Sequence, residues 1–263
     1  MARRRDMQIQ TTSFLEKENN HHKIDLNHII SLNQTYAKER FDIMNNSLKI
    51  LDYVYKKYSS IKIASSFSLE DVVVIDLACQ VWKKPTVFFL DTGRIHEETY
   101  YTLEQIRKRY NINLEIYYPD SNDVEKLLRE KGPFSFYESI ENRKECCYIR
   151  KVKPLLRALK EVDGWITGLR RGQAITRSNV FPFEIDIEHG NILKINPIFN
   201  WGLENIWTYI KIYRIPYNPL HDKGFPSIGC VPCTRAVQPG EDIRAGRWWW
   251  ESPEHKECGL HKK

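Results

Sequence analysis

Four of the six cysteines in this chain fall into two short groups, the adjacent pair Cys146 and Cys147 and the C-x-x-C of Cys230 and Cys233. Four thiolates from two separated segments make a closed tetrahedral donor set, which suits zinc or a [4Fe–4S] cluster. Structural zinc usually draws ligands two to four residues apart, whereas neighbouring side chains on a helix diverge by about 100°. One small ion is awkward for both members of an adjacent pair. A cluster presents a separate iron at each corner, so the spacing favours the cluster while zinc stays open. Gly229, Pro232 and Thr234 give the C-x-x-C a loop-like setting, which argues against four unrelated core cysteines.

A fifth cysteine, Cys258, stands in the stretch RWWWESPEHKECGLH that begins at Arg247. The thiolate is the reactive form of cysteine, and nearby cations lower the thiol pKa. Arg244, Arg247, His255, Lys256 and His261 supply such cations. Cys258 therefore reads as a nucleophile on a short arm rather than as a spare thiol, which would be an oxidation liability. Cys79, between Leu77 and Val81 on an apolar helix face, reads as core.

The totals narrow the class. With 263 residues, 41% hydrophobic, the chain can bury a substantial core. The longest apolar run, around Val72 to Ala78, is broken by Asp76 and is too short for a membrane span. No apolar segment follows the basic start MARRRD, so a secretory signal is not expected. Cysteines in such a chain imply a reducing compartment, the cytoplasm, where metal ligation or catalysis is the expected use. The net charge of +6 permits a polyanion partner, but lysines and arginines are dispersed, which weakens a nucleic-acid reading. The sequence is silent on oligomeric state.

These groups need a scaffold. Residues 1–24 are polar and read as a loose segment. Residues 25–58 carry the spacing of two helices. Strands are predicted at Ile61–Phe67, Thr86–Leu90, Asn113–Tyr118 and in GWITGL. Helices are predicted from Leu69, over His96–Tyr110, and around 122–131 and 149–161. This alternation predicts an α/β fold, a doubly wound, mostly parallel sheet, with a C-terminal cysteine-bearing tail. In such sheets ligands bind beyond the carboxyl ends of the strands. The loops there are SSFSLED and GLRRGQAITRS. In the first, Ser66 and Ser68 either seat an anion at a helix start or merely cap the helix. In the second, Arg170, Arg171 and Arg177 either grip a phosphate or sulfate or form a solvated basic loop.

Taken together, SSFSLEDVVVIDLA, FLDTGRIHEETY, GPFSFYE, ECCYIRKVKPL, TGLRRGQAITRS, YNPLHDKGFPSIGCVPCTR and GRWWWESPEHKECGLH resemble the cluster-containing assimilatory adenylyl-sulfate reductases. The resemblance runs in order from about residue 60 to 261. It implies an adenine-nucleotide α-hydrolase-like fold in one reductase domain over 25–263, with a nucleotide-binding core over 60–215 and a cluster-anchored catalytic tail over 216–263. It implies reduction of adenylyl sulfate to sulfite and AMP in sulfate assimilation, with thioredoxin as reductant. Cys146, Cys147, Cys230 and Cys233 would hold one [4Fe–4S] cluster, and Cys258 would be the nucleophile. Ser66, Phe67, Ser68 and Asp71 would form a degenerate phosphate loop, and Leu90 and Thr92 would meet the adenosine. Gly168 and Arg177 would line the same pocket, while Lys151, Arg244 and Arg247 would face the phosphosulfate. Arg143 departs from the histidine of a close relative and is unassigned.

A covalent route follows. Attack by Cys258 on the sulfate sulfur would leave an S-sulfonate and expel AMP. With four cysteines on metal and Cys79 in the core, the chain as given has no second thiol to finish the turnover, so the reductant is another protein's dithiol. The alternatives are a reductase for the 3′-phosphorylated substrate or for both substrates. More distant are an ATP pyrophosphatase, which needs a glycine-rich loop that SFSLED lacks, and a zinc-stabilised nucleic-acid-binding protein.

Overall fold

A computed structural model of the chain describes residues 25–38, 42–173 and 177–252. The loose segment expected at 1–24 and the nucleophile expected at Cys258 lie outside the described residues. Six strands form one sheet: β1 Ile61–Ser65, β2 Thr86–Leu90, β3 Asn113–Tyr117, β4 Gly164–Ile166, β5 Phe183–Asp186 and β6 Ile192–Ile195. Their order is β3-β2-β1-β4-β6-β5. Every neighbouring pair is parallel except β5 with β6. The chain lays β2 and β3 on one side of β1, then returns to place β4 on the other. That reversal opens a crevice at the carboxyl ends of β1 and β4, where a doubly wound sheet takes its ligand.

Eight α-helices accompany the sheet among the described residues: α1 Leu26–Tyr36, α2 Ile43–Lys57, α3 Leu69–Val81, α4 Glu97–Arg109, α5 Ser121–Lys131, α6 Ile140–Cys147, α7 Lys153–Ala158 and α8 Leu203–Tyr213. Strand alternation sorts the side chains onto two faces. Ile63, Val87, Phe89 and Ile166 join the main core with α2, α3 and α8. Ala64, Phe88, Leu90 and Trp165 pack on the other face against Leu155 and Ala158 of α7. α3 is apolar nearly all round, as a helix enclosed by sheet and helices must be. At the sheet edge, the Asn33 side chain donates to the Phe183 carbonyl at 2.9 Å and accepts its N–H at 3.1 Å, so α1 covers β5.

Two expectations are corrected. β1 ends at Ser65 rather than Phe67, because Phe67 adopts a left-handed φ of 57° that takes it out of the strand. The helix placed at 149–161 begins at Ile140 and is interrupted by a π-helical turn over Tyr148–Val152. Pro154 explains the interruption: it has no N–H for the carbonyl four residues back and its ring crowds that carbonyl. The helix yields by one register, and the Lys153 N–H donates to the Tyr148 carbonyl instead. β5, β6 and α8 were not resolved from the sequence.

β4 and β6 approach closely at Gly164, where a Cβ would overlap the Leu193 carbonyl oxygen. Gly164→Ala should force the two strands apart and cost about 1–3 kcal/mol. A shift in the urea unfolding midpoint, with wild-type steepness, checks this.

Candidate active site

A cavity of about 240 Å³ occupies the crevice beyond β1 and β4. Its lining includes an apolar set, Ala64, Phe88, Leu90, Leu155 and Trp165, and a polar and charged set, Ser66, Ser68, Glu70, Asp71, Lys151, Arg170, Arg177, Arg244 and Arg247, with Gly168 between strand and loop. Apolar side chains together with several cations suit a flat heteroaromatic ring bearing an anionic tail.

The β1–α3 loop is wired inward. The Asp71 carboxylate accepts from the Ser66 N–H at 2.6 Å and the Ser66 hydroxyl at 2.7 Å, and the Ser65 hydroxyl accepts the Phe67 N–H at 3.0 Å. These amides therefore serve the loop itself, not an open anion seat. Nor is Ser68 a side-chain cap; its hydroxyl pairs with that of Ser66 at 3.0 Å. Phe67 buries its ring in the main core, edge-on to Phe89, at the strained φ noted above. Burial raises the Asp71 pKa to about 6, against the opposing pull of the Ser66 bonds. Gly168 is required by proximity, since a Cβ there would come within 2.6 Å of Asp71 Oδ1.

The three arginines after β4 take separate roles. Arg170 lines the cavity with its Nε 2.9 Å from Glu70 Oε1, a largely desolvated ion pair. Arg177 lines the cavity and donates to Gln173 Oε1 at 2.5 Å. Arg171 turns away, donating to the Val180 carbonyl and lying over Phe199 at 5.0 Å. The basic loop is thus neither a three-pronged clamp nor a solvated patch.

Beyond Lys151 lies a second, smaller space lined by Cys146, Cys147, Cys230 and Cys233 with Arg94, Arg143 and Arg150. Lys151 borders both spaces. Thr92, expected to meet the adenosine, has its hydroxyl 3.2 Å from Cys230 Sγ. The cations follow from helical spacing, since residues four apart share a face. Arg143 bonds to Cys147, and Arg150 bonds to Cys146. Sequence reading missed Arg143, Arg150 and Arg94; the i, i+4 offset of Arg143 and Arg150 from the cysteine pair was the available signal.

The residues present fit a thiolate-ligated cluster. None of these four cysteines is in a disulfide. Burial pushes the Cys233 thiol up to about 12 and raises that of Cys146. Buried Arg150 Nε and Trp248 Nε1 have no hydrogen-bond partner among the described residues; Arg150 lines the cysteine space and Trp248 packs with Cys147, Cys230 and Cys233. Among the described residues no group of three or more His, Cys, Asp or Glu is arranged to hold a metal ion.

The root of the tail is pinned to this centre. Thr234 and Arg247 form an antiparallel bridge, and the Trp248 N–H donates to the Cys233 carbonyl at 3.2 Å. The Arg247 guanidinium crosses the backbone at Gly229, where any Cβ would collide with it. Arg143 grips Glu251 with two bonds of 2.8 and 2.7 Å in a nearly water-free setting. Cys79, by contrast, sits on α3 against the main core.

Residues 60–236 match the phosphoadenosine phosphosulfate reductase domain. The chain belongs to this family. It is 45% identical over 212 residues to the adenosine 5′-phosphosulfate reductase of Burkholderia cepacia, covering 81% of this chain and 84% of the relative. It is 43% identical over 236 residues to that of Neisseria meningitidis serogroup B, covering 89% and 94%. Among solved structures, a phosphoadenylyl-sulfate reductase from Candida auris in complex with phosphate matches at 27% identity and a TM-score of 0.68, over 82% of this chain and 99% of that one. FMN adenylyltransferase of Candida glabrata shares the fold at 17% identity, with a TM-score of 0.52 over 87% and 84%. The adenine-nucleotide α-hydrolase-like fold expected from the sequence is the one observed.

Two predictions follow from this geometry. Breaking one side of the Arg143–Glu251 pair leaves a buried charge, so Glu251→Gln should cost about 3–5 kcal/mol, whereas Arg143→Met with Glu251→Leu should recover most of it. Urea unfolding of anaerobically purified single and double variants measures both. Asp71 is raised from its ordinary 3.8 to about 6. The folded state therefore holds a proton that the unfolded state loses, and this group's contribution to stability falls as pH rises between those values, staying low above about 6. Asp71→Asn should then gain stability relative to wild type across that window, read from unfolding midpoints at pH 5 and pH 8.

Proposed function

We propose that this chain reduces adenylyl sulfate to sulfite and AMP in sulfate assimilation, in a reducing cytoplasm, with a thioredoxin-type dithiol protein as electron donor. The observation that carries the reading is that Lys151 lines both a cavity of apolar and cationic side chains and the space bordered by the four cysteines. Curated relatives that are 42–51% identical carry the adenosine 5′-phosphosulfate reductase name, which supports the substrate without a 3′-phosphate.

In this reading the adenosine lies against Leu90, Phe88 and Trp165, and the phosphosulfate faces Lys151, Arg177, Arg244 and Arg247. Cys146, Cys147, Cys230 and Cys233 would hold one [4Fe–4S] cluster. When bound, it would supply a fixed inorganic centre of delocalised charge joining the tail root to α6. The cavity cations orient the anion and stabilise charge as it moves onto the leaving phosphate. The Cys258 thiolate attacks the sulfate sulfur; an S–S bond forms, the S–O bond to phosphate breaks, and AMP leaves. A donor thiolate then attacks the Cys258 sulfur and expels sulfite, leaving a mixed disulfide. The donor's second thiol resolves it, so Cys258 returns as a thiol and the donor leaves as a disulfide. The two electrons that take sulfur from sulfate to sulfite come from the dithiol.

Anaerobically purified protein should show about four irons per chain and broad absorbance near ~400 nm; stoichiometric zinc without acid-labile sulfide contradicts the cluster. Given substrate but no reductant, wild type should release AMP once and carry an adduct of about 80 Da on the Cys258 peptide. Cys258→Ser should bind the nucleotide normally, keep the iron and make no sulfite, because serine is un-ionised near neutral pH. Sulfite release at the wild-type rate from that variant refutes the mechanism. Arg247→Ala removes a charge-assisted contact worth about 1.5–3 kcal/mol, so substrate affinity should fall about tenfold or more in an equilibrium binding assay with both nucleotides.

A further inference from the structure

A group of large apolar side chains remains exposed beside the cysteine centre. Phe134 is 63% exposed, Val231 47%, Trp249 40% and Tyr137 39%. Tyr137 lies at the middle of the group. Its ring stacks on Phe134 at 6.5 Å and meets Trp249 at 6.4 Å, and its hydroxyl donates to the Pro232 carbonyl at 2.7 Å, next to Val231. Beneath them Phe136 and Trp250 hold the surface, each packed against Tyr137. The patch is therefore preformed and its rings have little rotamer freedom to lose on contact. An exposed aromatic patch on a rigid base marks a site of protein contact.

We propose that Phe134, Tyr137, Val231 and Trp249 form the docking surface for the dithiol protein that discharges Cys258. This rests on the S-sulfonate reading above. Two observations choose the occupant. Glu251, held by Arg143, fixes the chain seven residues before Cys258. Seven extended residues reach at most about 25 Å, and a 100-residue globular protein has a radius of gyration of about 13 Å. The reach of that arm is thus comparable to the size of a small dithiol protein seated on the patch, which includes Trp249, two residues before Glu251. The residues around Cys258 are themselves a poor cover: PEHKECGLHKK contains one large apolar residue, Leu260, among charged and small ones. Cys79, against the main core with its thiol pushed up to about 12, offers no internal route.

The test separates loading of Cys258 from its discharge. Phe134→Ser with Trp249→Ala, and separately Phe134→Glu, are loaded with adenylyl sulfate without reductant. The S-sulfonate forms are then mixed with thioredoxin or with dithiothreitol. The AMP burst and iron content should match wild type. The second-order rate with thioredoxin should drop about tenfold or more, as loss of aromatic anchors predicts, while the rate with dithiothreitol stays within about twofold. An unchanged thioredoxin rate overturns the proposal. So does an equal loss with dithiothreitol, which would assign the patch to the chain's own tail. Loss of a wild-type dimer in sedimentation, with the thioredoxin rate unaltered, would give the patch to a second copy. Absence of an AMP burst in wild type removes the S-sulfonate reading itself.

Discussion

Trp248 carries two guanidinium groups on its ring, those of Arg143 and Arg247, each 4.7 Å from the ring centroid. Much of the site hangs on this contact. Arg143 comes from the helix that bears the cysteine pair, Arg247 from the wall of the cavity, and Trp248 packs with Cys147, Cys230 and Cys233. Two cations on one buried ring are tolerable only if each is answered elsewhere. Arg143 is answered by Glu251; Arg247 donates to Ser227 and to the Ile228 carbonyl. Those answers bind the tail root to α6 and to the C-x-x-C loop in one unit.

The break in the helix after the cysteine pair serves the same end. A straight helix from Ile140 to Ala158 would have to accommodate Pro154 with an unmet carbonyl. The π turn resolves this by adding a residue to one turn, and π turns gather at functional sites. Here the turn contains Arg150 and Lys151, the former reaching Cys146 and the Thr92 carbonyl, the latter bordering both spaces. A backbone compromise thus sits where cations, thiols and the cavity meet.

Charge inside the cavity is managed by pairing. Arg170 is neutralised by Glu70 and Arg171 is spent on aromatic faces, leaving fewer cations for an anion than the sequence contains. Asp71 gathers the serine loop around itself, and with it goes the backbone anion seat that a helix start offers. The consequence is a site that recognises its anion mainly through long cationic side chains from separate elements, and so depends on those elements being assembled.

Fold class and much of the donor chemistry were legible in the sequence. Alternating apolar strands and helices specify a wound sheet, and the strand-loop-helix junctions mark its ligand edge because side-chain period and chain direction are local properties. The pairing of Cys146 and Cys147 with Cys230 and Cys233 was likewise readable, since few other arrangements account for adjacent cysteines and a C-x-x-C in one chain. Strands β5 and β6 were not, because they pair as an antiparallel hairpin with no helix between them, outside the strand–helix alternation that marks the others. Nor could sequence tell which arginine lines the cavity, that Thr92 sits by Cys230, or that Arg143 holds Glu251 across 108 residues. A side chain's type fixes what it can bond to; which partner it meets is set by packing between distant segments, and only the folded chain decides that.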